Sequence, residues 1–350
     1  MKFKKISYFN VTPFKLATEK NCSEIISILL KHPEIDFPPK AFIGFKKLVE
    51  MTIPKSVKSI KKSAFKYCSK LKKVTINSDI TKIDDYSFYN CRSLSTINIP
   101  LSVTEIGSSA FSNCTSLQEI TIPSKVKKIG PYAFNNCSSL SEITIPSSVT
   151  SVGFFAFKDC SKLVKMNIES SLNLIEIGTF SGCSSIKEIK IPLSVKKIDD
   201  YAFCGCSSLA EMTISSSVES IGCFAFNSCS SLMKIEILSS LKIIEERTFN
   251  SCSLLKEIII PPSVASIEPY AFYGCSSLVD LYIPSSVVKI GHCAFKNCSS
   301  LINVNLPPSI KVIEKSAFKR CLLLKEVKLP LLLKGSVDKA FPPNTKVIFE

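Results

Sequence analysis

Sixteen cysteines, two histidines and two aspartate pairs are the residues of this 350-residue chain whose types could do chemistry. A thiol can serve as a nucleophile, a disulfide partner, a metal ligand or a small apolar side chain, and spacing chooses among these. Twelve of the sixteen keep a spacing of 23: Cys68, Cys91, Cys114, Cys137, Cys160, Cys183, Cys206, Cys229, Cys252, Cys275, Cys298 and Cys321. A thiol at one fixed place in every repeat, in step with an apolar neighbour, points to packing. Stacked equivalents about 5 Å apart would also lie within disulfide range, so bridges between coils stay open as a second reading. Zinc needs close ligand pairs. Cys204 and Cys206 come nearest, with Cys223 and Cys229 beyond, but no Cys-x-x-Cys pair and no neighbouring His supports them. The off-ladder Cys22, Cys204, Cys223 and Cys293 are the candidates for exposed, reactive thiols.

Other chemistry is thinner. His32 and His292 lie far apart, so a Ser-His-Asp or Cys-His arrangement has little to draw on. His292 and Cys293 are adjacent, and neighbouring residues in a turn are not expected to align as a dyad. The chain has 11 glycines and no glycine-rich phosphate loop. Asp84-Asp85 and Asp199-Asp200 stand at a bend where other repeats carry Gly, and read as solvated turn acids. Asn113, Asn136 and Asn297 head Asn-Cys-Thr or Asn-Cys-Ser triplets, glycosylation acceptors that matter only in an exported protein. No catalytic residue, cofactor or metal site is expected, and the chain reads as a non-enzyme.

The elements that place these residues follow from the phenylalanines. From Phe42, Phe65 and Phe88 through to Phe318 and Phe341 they recur every 23 residues without an insertion. A uniform period of this length means a solenoid whose units bury their apolar sides against one another. In Leu140-Ser141-Glu142-Ile143-Thr144-Ile145-Pro146 the alternation of apolar and polar residues marks a half-buried strand. Pro146 ends it because proline has no N–H to give a ladder. Val149–Val152 alternates again as a second, shorter strand; Gly153 allows a bend; Phe154–Cys160 is too short for an α-helix and reads as a helical turn. Stacking then pairs equivalent strands in parallel and sets each Phe on the next as an aromatic spine.

The pattern Leu-x-x-Ile-x-Ile-Pro, Ser-Val-x-x-Ile-Gly, Ala-Phe-x-x-Cys-Ser resembles the BspA-type leucine-rich repeat, from about Phe42 to Phe341. The resemblance implies a right-handed solenoid of stacked parallel strands over residues 37–350, used as a recognition surface. It also implies kinship with bacterial adhesins and with surface-antigen-like proteins of parasitic protists. Departures fall at the ends: Phe45 takes the Cys place of the first coil, and Lys346–Phe349 looks like a shortened closing strand. Residues 1–36 obey another rule. Thr12-Pro13-Phe14-Lys15-Leu16-Ala17 and the apolar spacing of Glu24–Asp36 resemble one ankyrin repeat, a short α-helical cap for the first coil.

The net charge of +15 attracts anionic surfaces in general, but its lysines are spread along the chain and Trp is absent, so nucleic acid is not the expected partner. No run of about 18 apolar residues suggests a transmembrane helix. The basic N-terminus lacks an apolar signal-peptide core. A cytoplasmic location is therefore expected, with the cell surface as the alternative from family resemblance.

Function in such a solenoid belongs to the outward strand positions that the repeat leaves free. One column is mainly acidic, with Glu119, Glu142, Glu188, Glu211, Glu257 and Asp280 around Lys234. A second column is Thr/Asn-rich until Lys190, then turns to Glu236, Ile259 and Tyr282. These eleven residues form the expected protein-binding surface, with Ile259 and Tyr282 as apolar anchors. Lysines gather on the shorter strand (Lys58, Lys82, Lys127, Lys128, Lys196, Lys197, Lys242, Lys289, Lys311), suggesting a basic row beside an acidic one. The partner is expected to be a protein; its identity and the oligomeric state are not legible.

Overall fold

The computed structural model describes residues 37–337 and 339–350. The ankyrin-like helical segment expected over 1–36, with Cys22 and His32, lies outside them. By internal contacts the chain divides into two compact units, Met1–Ser170 and Ser171–Glu350.

In the first unit the long strands Glu50–Ile53, Lys73–Ile76 and Thr96–Ile97 pair in parallel, with Glu50 opposite Lys73 and Lys73 opposite Thr96. Glu142–Ile145 pairs with Lys165–Ile168 in the same sense. A second parallel sheet joins the short strands Lys82–Ile83, Glu105–Ile106, Lys128–Ile129 and Ser151–Val152. The second unit repeats the plan: Glu211–Ile214, Lys234–Ile237 and Glu257–Ile258 form one long-strand sheet, and Ile243–Ile244, Ser266–Ile267, Lys289–Ile290 and Val312–Ile313 a short-strand one. Each unit is thus a parallel-strand solenoid with the expected period of 23. Among the described residues the only helix is one 3-10 turn, Leu331–Leu333.

Proline withholds a ladder bond that three of the four other residues at its place make, the fourth being Ser215. Where the repeat has Asn77, Glu169 or Leu238 in the proline place, the N–H donates to the Ile carbonyl of the preceding coil at 2.9–3.0 Å. Proline forfeits that bond, and its carbonyl accepts a turn from the residue three later, as Val149 N–H donates to Pro146 O at 3.0 Å.

The third side of each coil is not helical. It is a run of tight turns with two left-handed residues, two before and two after the spine Phe: Tyr132 (φ 55°) and Asn136 (φ 56°) flank Phe134. Asn and Gly recur at the second place (Asn90, Asn113, Gly182, Gly205, Gly274, Asn297) because they tolerate positive φ best. The three glycosylation triplets therefore follow from backbone geometry. At the first place bulky rings meet one another: Tyr132 stacks on Phe155 at 5.2 Å and Tyr201 on Phe224 at 4.7 Å.

The bend glycines answer to crowding. Gly153 has no positive φ; a Cβ there would stand 2.5 Å from Pro131 N of the coil before.

Inside, the spine rings stack almost parallel, with centroids 4.8–5.4 Å apart from Phe42 to Phe157. From Phe180 to Phe341 the spacing is 5.1–5.6 Å. Each buried Phe contributes about 1.5–3 kcal/mol. The last coil closes early: Lys346 pairs with Glu326, 20 residues back, although Phe341 still follows Phe318 by 23. Three residues are thus missing between spine and strand, and the strand itself keeps four residues.

Candidate functional site

The ladder thiols are fixed in the core and do more than fill space. Within each unit the ladder Sγ–H donates to the carbonyl of the Phe one coil earlier: Cys114 to Phe88 at 3.2 Å, Cys229 to Phe203 at 3.2 Å. No disulfide joins the described ladder cysteines. Burial, which disfavours the thiolate, pushes the Cys160 and Cys275 thiols up to about 12 and holds Cys114, Cys137 and Cys252 well above their ordinary value. Such thiols are poor nucleophiles and poor metal ligands at neutral pH. Among the described residues no three His, Cys, Asp or Glu side chains gather as a metal site.

The off-ladder thiols differ from expectation. Cys204 and Cys223 are half-buried, and Cys293 is only 2 % exposed. The His292–Cys293 pair, expected not to align, does: Sγ lies 3.3 Å from Nε2. Cys293 has a positive φ of 55°, and the imidazole leans edge-on against Tyr270 at 5.4 Å. At that burial Cys293 is not the exposed thiol the sequence suggested.

The Asp pairs are also corrected. Asp85 Oδ1 accepts the Ser108 N–H at 2.8 Å and Asp200 Oδ1 the Cys223 N–H at 2.8 Å, each in the next coil. Asp84 and Asp199 accept from their own neighbours, Asp85 and Asp200, at 2.9 Å. These carboxylates splice coils together. Position in the repeat alone could have hinted at this, since Gly107 and Gly222, the next bend residues, leave room for them.

Three of the nine short-strand lysines stand among carboxylates. Lys82 lies 3.4 Å from Glu105 and 3.5 Å from Asp84, Lys197 3.2 Å from Asp199, and Lys289 3.0 Å from Glu268 and 3.5 Å from Glu314. The row is mixed in charge. Each such exposed pair contributes on the order of 0.2–1 kcal/mol.

The eleven outward strand residues are all exposed. Glu119 and Glu142 belong to the first unit, where they line an open groove of about 910 Å³ with Thr96, Asn98 and Lys165. Here Asn98 replaces a rung of the ladder: its Oδ1 accepts the Ile76 N–H at 2.8 Å and its Nδ2 donates to Ile76 O at 3.0 Å. Strand pairing accordingly stops after Ile97, and 119–122 keeps the alternating burial without regular pairing. Glu142 is held by Lys165 at 3.8 Å.

The other nine lie in the second unit. Glu211, Lys234 and Glu257 sit side by side in register, and Thr213 is beside Glu236. Among the described residues no ion pair within 4 Å engages Glu211, Lys234, Glu236 or Glu257. Ile259 and Tyr282 occupy equivalent places on consecutive coils and are 81 % and 64 % exposed. Asp280, two residues before Tyr282, accepts from Asn303 Nδ2 at 2.7 Å. Alternation of side chains along a strand puts Glu257 on the face of Ile259 and Asp280 on that of Tyr282.

The profile described as BspA type leucine rich repeat region (6 copies) matches residues 20–141, 127–256 and 219–347. The chain belongs to this BspA-type leucine-rich repeat family. A leucine-rich repeat protein from Bacteroides ovatus is similar at 32% identity, covering 86% of this chain and 92% of its own, with a TM-score of 0.60. A leucine rich cell surface protein from Faecalibacterium prausnitzii is similar at 32% identity over 77% and 76% of the two chains, TM-score 0.52. The pneumococcal vaccine antigen PcpA shares the fold at 22% identity over 90% and 82%, TM-score 0.55. All three are bacterial, so the protist side of the resemblance has no counterpart in them. No curated protein matches the chain. Among the described residues of this BspA-type protein, no helix is long and apolar enough to cross a membrane.

Proposed function

We propose that this BspA-type repeat protein is a non-enzymatic interaction scaffold whose second unit binds a basic segment of a protein partner on its long-strand face. The observation that carries this is the exposure of Ile259 and Tyr282 side by side, bordered by Glu236, Glu257 and Asp280. Large apolar side chains on a repeat's free positions contribute nothing to its core, and ringed by carboxylates they suit a lysine- or arginine-bearing partner with an apolar anchor. The six carboxylates of the two columns here (Glu188, Glu211, Glu236, Glu257, Asp280, Glu326) outnumber the three amines (Lys190, Lys234, Lys328), although the whole chain is basic. An affinity pull-down from the source cell with native chain and with the triple variant Glu188→Lys, Glu211→Lys, Glu257→Lys tests it. Loss of the captured partner is expected; unchanged capture would sink the assignment.

A second reading is a surface antigen or adhesin. The similarity to a protein described as a cell surface protein favours it. Labelling of intact cells with a membrane-impermeant reagent separates the two, since an adhesin must be labelled and an internal scaffold must not. Nucleic acid is not the partner on this account: binding to a generic duplex should be absent, without the steep salt dependence of phosphate contacts.

A further inference from the structure

The strand Lys346–Phe349 has a partner, Glu326–Leu329, on one side only among the described residues. Lys346 N–H donates to Lys325 O at 2.8 Å, Glu350 N–H to Leu329 O at 3.0 Å, and Leu331 N–H to Glu350 O at 3.2 Å. Backbone groups alternate sides along a strand, so the N–H and C=O groups of Val347 and Phe349 face the open edge. Open edges of this kind are templates for another strand.

The residues at this edge are complementary to themselves. Laid antiparallel on a second copy about Ile348, Lys346 comes opposite Glu350, Val347 opposite Phe349, and Ile348 opposite itself. The match holds on both faces: Lys346, Ile348 and Glu350 share one, Val347 and Phe349 the other. The backbone agrees as well, because Val347 and Phe349 carry the outward groups and would form the hydrogen-bonded pairs. Lys346 and Glu350 already touch Glu326 at 3.2 Å and Lys328 at 3.0 Å, so new partners would extend an alternating charge row. Val347, Ile348 and Phe349 are each half-buried, and Leu331 and Leu332 in the adjoining 3-10 turn are exposed.

We propose that two copies of this chain pair through the strand Lys346–Phe349, antiparallel and edge to edge, about a twofold axis at Ile348. The contact is isologous, so it closes as a dimer instead of growing. It goes beyond the scaffold function and uses a different surface.

Sedimentation velocity of the full chain, up to about 0.5 mM, reads the result. Native chain should dimerise reversibly, in the weak range of a small interface. Lys346→Glu alone sets two Glu pairs against each other and Glu350→Lys alone two Lys pairs, so each should dimerise at least about tenfold more weakly. An equimolar mixture of the two variants restores both opposite-charge pairs, and should recover native-strength association as a heterodimer. Val347→Pro removes an outward N–H without touching the bonds to Glu326–Leu329, and should abolish the dimer while leaving the melting temperature nearly unchanged. The proposal is overturned if the native chain stays monomeric, if the single variants or Val347→Pro dimerise as native does, or if the mixture associates no better than its components. Species that lengthen with concentration would mean head-to-tail stacking and overturn it too.

Discussion

The Cys137 thiol donates its hydrogen to the Phe111 carbonyl oxygen at 3.2 Å, across a separation of 26 residues. That is one coil plus three residues, so the bond ties a ladder thiol to the spine Phe of the preceding coil. A buried thiol so placed keeps its proton, and this has a consequence at high pH. Below pH 9.0 folded and unfolded thiols are both protonated and the ladder's contribution is whole. Above it the unfolded chain ionises, while Cys160 and Cys275, raised to about 12, do not. Stability should therefore fall between pH 9 and about 12, by roughly 1.4 kcal/mol per pH unit for each such thiol. Urea unfolding midpoints at pH 8, 9 and 10 check this. Cys137→Ala should give a shallower decline, after an initial loss of about 1–2 kcal/mol at pH 8.

The spine offers a sharper test of neighbour coupling. Phe134 stacks on Phe111 at 5.4 Å and on Phe157 at 5.3 Å. Phe134→Ala removes both contacts and opens a cavity, so a loss of about 3–5 kcal/mol is expected by chemical denaturation. Phe341, at the end of the stack, has one stacked neighbour and is 9 % exposed; Phe341→Ala should cost distinctly less.

The period of 23, the two strand types, the spine and the thiol ladder were legible because each is a one-dimensional signal: the same residue type at the same interval. What escaped is set by contacts between unlike residues of successive coils. Asp85 looks like a solvated acid until the next coil's Ser108 N–H is seen to reach it, and Lys289 looks like a free base until Glu268 and Glu314 close on it. Phe154–Cys160 looks like a helical turn in sequence, and i to i−3 bonds do occur along that edge. Left-handed residues such as Tyr132 and Asn136 break the helix, and nothing in a Tyr announces positive φ. At the candidate site the exposure of Ile259 and Tyr282 followed from alternation alone, but the replacement of a ladder rung by the Asn98 amide did not.

The coil-splicing carboxylate can be separated from the bend it crosses. Asp85→Ala withdraws the acceptor from Ser108 N–H and should cost about 1–2 kcal/mol, whereas Asp85→Asn keeps an acceptor oxygen and should cost less. Gly107→Ala should be worse than either, because its Cβ would lie 2.7 Å from both Asp85 N and Asp85 Oδ1. Thermal melts of the three variants give the order; equal effects of Ala and Asn at position 85 would remove the hydrogen bond as the cause.

The exposed pair on the second unit discriminates binding from folding. Ile259 is 81 % exposed, so Ile259→Asp should leave stability within about 0.5 kcal/mol of native. If the side chain anchors a partner, the same change removes apolar contact and adds a carboxylate beside Glu236 and Glu257. Affinity should then fall at least about tenfold, with Tyr282→Ala close behind. Thr213→Ala, beside Glu236 in the same row but carrying no anchor, should change affinity little. Titration of the captured partner against the three variants, with melts run in parallel, makes the comparison. A native affinity for Ile259→Asp would move the binding surface elsewhere, to the Asn98 groove of the first unit before any other, because that groove holds the remaining acidic positions, Glu119 and Glu142.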